Sequence, residues 1–102
     1  MSCQIFLFLK KKWSIPIILK LNEYGIIQIS ELKRFFPTAS EKMLIETLDL
    51  LLTQKIVHKK KYDTYPKHTE YTLTSYGKAV SNMLIEIKKI HFKFLIVKES
   101  NE

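Results

Sequence analysis

One cysteine, two glycines and three prolines are all that the 102 residues contain of those types, and ten acidic side chains stand against seventeen basic ones. The single Cys3 excludes an intramolecular disulfide framework and any cysteine-based zinc finger. His58, His68 and His91 lie in separate segments without metal-ligand spacing, so neither a metal nor another cofactor is expected. Little Gly and Pro, beside 46% hydrophobic and 26% charged residues, describes a globular chain with short connections rather than a disordered one. Long hydrophobic runs are missing too. IFLFL at 5–9 and IPIIL at 15–19 fall far short of the roughly 20 residues a membrane span needs. The N-terminal apolar stretch precedes its positive charges, the reverse of a secretory signal, so a soluble, cytoplasmic protein with no membrane partner is expected. No glycine-rich phosphate loop, no nucleophile triad and no metal constellation is present, which sets an enzyme aside.

What the chain does have is positive charge. A formal +7 on one domain's length of sequence, 1–102, points to a polyanionic partner, and with no membrane span the favoured one is nucleic acid. The charge is unevenly spread: residues 1–30 carry +3, 31–54 carry −1, 55–70 carry +3 and 71–102 carry +2.

The signals for element ends are clear. Ser14 precedes an apolar stretch in which Pro16 suits a first helical turn, predicting a helix over about 15–22 that Asn22 to Gly25 ends. Ile26, Ile27 and Ile29 form a short β-branched stretch, and Ser30 is placed to cap a short helix, ELKRFF, stopped by Pro37. Thr38 with Glu41 three residues on reads as a capping box opening a third helix, 38–54. Its Leu44, Leu48, Leu51 and Leu52 should face the core, leaving Lys42, Ile45, Glu46 and Asp49 outside. The period then changes to two. KIVHKKKY and HTEYTLT read as the strands of a basic hairpin with Pro66 in its turn, Tyr71 and Leu73 inward. Thr74 caps a last helix from about Ser75 into the nineties, with Val80, Met83, Leu84, Ile87, Ile90 and Phe94 on one side. Phe92, Leu95 and Ile96 add more apolar surface than one small core covers. Either a second copy of the chain covers it or the tail folds back on its own domain.

Helix, short strand, helix, turn, helix and hairpin is the order of a winged helix-turn-helix, a mainly α fold with a small β-hairpin wing (α+β). Three blocks make the likeness specific. Lys12-Trp13-Ser14 followed by IPIIL resembles the G-K-W-[ST] opening of the HxlR-type winged helix-turn-helix transcriptional regulators of bacteria and archaea. Glu31-Leu32, Phe36-Pro37, Ser40, Lys42, Met43, Leu44 and Leu48 resemble that family's F-x-E-L-x-R…P-G-I-S-x-K-x-L-x-x-x-L signature. Tyr62 to Gly77, Y-x-x-Y-P-K-H-T-E-Y-T-L-T-x-x-G, is similar to its Y-x-x-V-P-P-R-V-E-Y-x-L-T-x-x-G. The resemblance runs in order from Lys12 to about Gly77. It implies a sequence-specific DNA-binding regulator of transcription, acting as a homodimer whose first and last helices form the interface.

On that resemblance the third helix, about 39–53, enters the major groove and the wing, about 58–70, meets the flanking duplex. The candidate contacts to double-stranded DNA are Arg34, Ser40, Lys42, Met43, Ile45 and Glu46, then Lys59, Lys60, Lys61, Tyr65, Lys67 and His68. Glu46 suits a cytosine amino group and Ile45 a thymine methyl. The wing's lysines suit phosphates and a minor groove. Ile5, Phe6, Phe8, Met83, Ile87, Ile90 and Phe94 are the candidate dimer interface, and Cys3 is a candidate redox sensor. The chain departs from the pattern at Thr38-Ala39, where Gly-Ile is usual, at Ile45, Thr47 and Asp49, and at His68, where Arg is usual. The third helix carries Lys42 against Glu41, Glu46 and Asp49, so attraction to a polyanion has to come from the wing and flanks. An acidic helix of this kind also fits an adaptor that docks on another protein, and a chain without base preference would be an architectural DNA-binding protein.

Overall fold

A computed structural model of the chain describes residues 4–100, with side-chain surroundings for 7–95. A 3₁₀ helix over Gln4–Lys10 leads into α1, Ser14–Tyr24, then β1, Ile26–Gln28, and α2, Ile29–Phe35. After a tight turn come α3, Glu41–Thr53, the hairpin strands β2, Val57–Tyr62, and β3, His68–Leu73, and a 26-residue α4, Ser75–Ser100. The short strand and the hairpin, read separately from sequence, join in one antiparallel sheet of order β1-β3-β2. Ile27 lies opposite Tyr71, and Val57 opposite Leu73. Those four residues share a face, and all are buried.

The core forms where that face meets the helices. Ile17, Ile18 and Leu21 of α1, Leu32 of α2, and Leu44, Leu48 and Leu51 of α3 are fully buried there. Each such side chain contributes about 1.5–3 kcal/mol on transfer from water. The 3.6-residue spacing in α3 therefore reads correctly, with one addition. Thr47 is buried as well, because its hydroxyl donates to the Met43 carbonyl at 2.8 Å and so needs no solvent. It belongs to the core, not to the outer face. Leu52 is only half-buried.

The helix starts need three corrections. Ser14 does not cap α1. It is the first helical residue and fully buried, its N–H reaching the Lys11 carbonyl at 3.2 Å while Trp13 takes the cap position. Ile29 is helical rather than extended, so α2 begins one residue before Ser30. Gln28 holds the cap position, its N–H donating to Glu31 Oε1 at 2.9 Å. α3 is capped by Ser40, not Thr38: Ser40 Oγ accepts from the Met43 N–H at 3.1 Å. Burial of Ala39, whose N–H bonds the Phe36 carbonyl at 3.1 Å, draws Thr38 into the turn.

Thr74 does cap α4. Its Oγ1 accepts from the Gly77 N–H at 2.9 Å and donates to the Lys55 carbonyl at 2.6 Å, fastening the start of α4 to the end of α3. Gly77 is required at this joint, since a Cβ there would stand 2.0 Å from the Ile56 carbonyl oxygen. Beyond the joint α4 leaves the body. Every side chain from Glu86 to Leu95 is exposed. The radius of gyration is accordingly 15.8 Å, where a compact chain of this length has about 13 Å.

Candidate nucleic-acid interface

The helix-turn-helix unit is α2, the turn of residues 36–40, and α3. Three contacts hold the turn. Trp13 packs on Phe36 with ring centroids 5.4 Å apart, Ser40 caps α3, and Lys33 Nζ donates to the Pro37 and Ala39 carbonyls. Lys33 has no signal in the sequence, because its partners are backbone carbonyls of a turn. With α3 so oriented, Lys42, Glu46 and Asp49 lie along the middle of its outward arc, flanked by exposed Met43 and Ile45. Ser40 stands exposed at the helix start, and Arg34 is exposed on α2.

The acidic character of that face is moderated from elsewhere in the chain. Lys11 Nζ lies 3.7 Å from Glu46 Oε2. Its turn reaches α3 because the Phe8 N–H is held by Gln54 Oε1 at 3.1 Å. The three neighbouring lysines thus divide their roles: Lys10 is exposed, Lys11 meets α3, and Lys12 lies over the Trp13 ring, 5.2 Å from its centroid.

The wing's lysine run is divided between two faces, as period two requires. Lys59 pairs across the strands with buried Tyr71, and Lys61 with Thr69, on the face that continues inward to the core. Burial pushes the Tyr71 phenol above its ordinary value, and the Asp49 carboxylate adds to that, so α3 and the inner wing face are electrostatic neighbours. Lys60 lies on the opposite face with Tyr62, its ammonium 5.0 Å from that ring. His68 stacks on Tyr62 with centroids 4.5 Å apart, and its two ring nitrogens meet the Pro66 carbonyl at 2.9 Å and Glu70 Oε2 at 3.3 Å. Glu70 is therefore a structural partner, and His68 a brace of the wing as much as a surface residue. Tyr65 is 98% exposed in the loop between the strands, with Lys61 and Lys67 exposed beside it.

On the other side of the molecule the candidate interface residues separate. Met83, Ile87, Ile90 and Phe94 are exposed along α4, whereas Phe8 is 5% exposed. Phe8 belongs to the core of its own chain, because the 3₁₀ helix folds against α1 and α3, and it forms the floor of a groove with Leu9, Ile15, Tyr76 and Met83. Cys3 and the side chains of Ile5 and Phe6 lie outside the described residues. Among those described, no group of three or more His, Cys, Asp or Glu gathers as a metal site, and no helix is long and apolar enough to cross a membrane.

The sequence pattern of the HxlR-like helix-turn-helix family matches residues 8–99. The chain belongs to that family. It is 36% identical over 76 residues to the uncharacterized HTH-type transcriptional regulator YkvN of Bacillus subtilis, which covers 74% of this chain and 64% of the relative. A solved chain from Porphyromonas gingivalis W83, assigned to the MarR family of transcriptional regulators, superposes with a TM-score of 0.76 at 38% identity, over 85% of this chain and 84% of that one. The reduced form of the transcriptional regulator YodB from B. subtilis gives 0.71 at 29% identity, over 87% and 90%. The chain spans a little under two thirds of the length of the first curated relatives it matches. The winged helix-turn-helix fold expected from the order of elements is the fold the chain adopts, and it superposes on these solved transcriptional regulators.

Proposed function

We propose that this HxlR-like protein regulates transcription by binding double-stranded DNA as a homodimer, with α3 of each protomer in the major groove of a pseudo-palindromic operator and the wings along the flanking backbone. The observation that carries the reading is an exposed α3 edge beside a lysine-bearing hairpin, in a chain of the helix-turn-helix family. Lys60, Lys61 and Lys67 are the phosphate contacts. Tyr65, bare at the tip, is the side chain for the minor groove. Ser40, Lys42, Met43, Ile45 and Glu46 face the bases, with Arg34, Lys59 and His68 as flanking contacts. Two such helices in successive major grooves stand about 34 Å apart.

The homodimer is argued from the apolar side. A groove of about 440 Å³ lined by Phe8, Leu9, Ile15, Tyr76, Met83 and Ile87 opens beside a helix that projects out of its own domain. A second copy, with the same projecting helix, offers the complementary surface.

Affinity should be largely electrostatic. Replacing Lys60 and Lys67 by Ala is expected to weaken binding to duplexes of every sequence and to lower the salt slope by about 0.9 for each phosphate no longer neutralised. Fluorescence anisotropy over a salt series measures both, and an unchanged slope removes the wing from the reading. The acidic face of α3, with Met43 and Ile45 exposed, favours a second reading, docking on a protein. A folded chain that leaves random duplex unshifted at low salt decides for it, and binding without base preference decides for an architectural role.

A further inference from the structure

The outer face of α3 has one feature that its own sequence does not supply. Glu46 sits in the middle of the outward arc, one turn after Lys42, but Lys before Glu is the weaker order for such a pair. Its partner comes from the turn before α1: Lys11 Nζ stands 3.7 Å from Glu46 Oε2. That turn is held at three points. The Lys11 N–H reaches the Phe8 carbonyl at 3.3 Å, the Ser14 N–H reaches the Lys11 carbonyl at 3.2 Å, and the Phe8 N–H is held by Gln54 at 3.1 Å. Gln54 and Glu46 lie about 12 Å apart along α3, so the segment from Phe8 to Lys11 runs beside the helix and delivers the ammonium to one carboxylate oxygen.

We infer that Lys11 is a specificity-positioning residue: it holds the Glu46 carboxylate as a charge-compensated acceptor for an exocyclic amino group in the major groove, cytosine in preference to adenine. The inference rests on the DNA-binding reading above. A lone carboxylate brought between two phosphate backbones is repelled by them. Paired with Lys11 it enters as a neutral unit. A carboxylate accepts at both oxygens, and Lys11 lies against Oε2, which leaves Oε1 for a base donor. The side chains are 45% and 48% exposed, so the pair adds little to folding and its effect lies in orientation.

The test selects bound sequences from a random duplex pool with the full-length wild type, Lys11→Met, Glu46→Gln, the double variant and Lys11→Arg, each first shown to melt like wild type. Glu46→Gln should move the preference at one symmetry-related base pair of each half-site from cytosine towards adenine, which a glutamine amide reads with both its donor and its acceptor, by about tenfold. Lys11→Met should lose preference at that same base pair, by about threefold. The double variant should be no worse than Glu46→Gln alone, and Lys11→Arg should restore the wild-type preference. A Lys11→Met protein that weakens binding to all sequences equally, or shifts preference at a different base pair, overturns the inference and leaves DNA binding standing. Wild type that binds duplex without preference does the same. Wild type that binds no duplex at low salt overturns the underlying reading as well.

Discussion

α3 and α4 are both amphipathic and both rich in leucine and isoleucine, yet one is finished within the chain and the other is not. α3 buries Leu44, Thr47, Leu48 and Leu51 against α1, α2 and β2, and its remaining face is short and mostly charged, with Met43 and Ile45 exposed at its flanks. Among its described side chains α4 buries only those of its first turns, around Gly77 and Ser81, with Val80, Leu84 and Ile85 half-covered. Met83 is 65% and Phe94 69% exposed farther along it. An apolar stripe with no cover is costly unless a partner removes it from water. α3 thus presents a short exposed face on a well-packed scaffold, and α4 an apolar face that its own chain leaves uncovered.

The comparison breaks most readily in α3. Leu48→Ala removes a fully buried side chain from the centre of the core and should cost about 3 kcal/mol, with a cavity left behind. Urea unfolding measures it. Because the packing removed is intramolecular, the loss should be the same at every protein concentration. A loss that vanishes at high concentration would mean that α3, too, depends on a partner.

Ile87→Glu tests the other helix. Ile87 is exposed in the chain itself, so the substitution should leave the fold of a protomer within about 0.5 kcal/mol of wild type. The proposed dimer should weaken by about 100-fold, as an unpaired carboxylate would be forced into its apolar interface. Sedimentation reads the assembly. The wild-type melting temperature should rise with concentration where that of the variant does not. Equal assembly by both proteins would remove α4 from the interface.

These two helices also show what is legible in a sequence. The stripe of α3 can be read because helical period and burial are recorded in the same few residues, and the Thr74 cap and L-T-x-x-G motif can be read for the same reason. The cap of α3 reads two residues too early because Thr38 and Ser40 are both competent, and only the burial of Ala39 decides between them. The place of Phe8 in its own chain's core, at the floor of the α4 groove, is not legible, because an apolar side chain before the first helix says nothing of which core it enters. The Lys11–Glu46 pair joins residues 35 positions apart across a tertiary contact, which no local pattern records. The wing's basic character is visible in the sequence, but the braces within it, Tyr62 on His68 and His68 to Glu70, depend on strand register. Charge and period are one-dimensional signals; the pairing that turns them into a site is not.

The smallest effect belongs to the joint where the two helices meet. Lys55 follows α3 with φ of 61°, and its N–H and that of Ile56 close on the Leu52 and Leu51 carbonyls at 3.0 and 2.9 Å. This is the left-handed helix end that glycine usually supplies. A side chain there costs about 1–2 kcal/mol, of which glycine's greater freedom in the unfolded chain offsets about 0.5–1. Lys55→Gly should therefore stabilise the protein by about 0.5 kcal/mol and raise the melting temperature by about 2–4 °C. The Thr74 hydroxyl donates to the Lys55 carbonyl, so the relief acts on the end of α3 and the start of α4 together. Hydrogen exchange separates the possibilities. Slower exchange in both helices by the same factor makes the joint one cooperative unit with the core. Slower exchange confined to α4 would mean that α4 opens independently of the core.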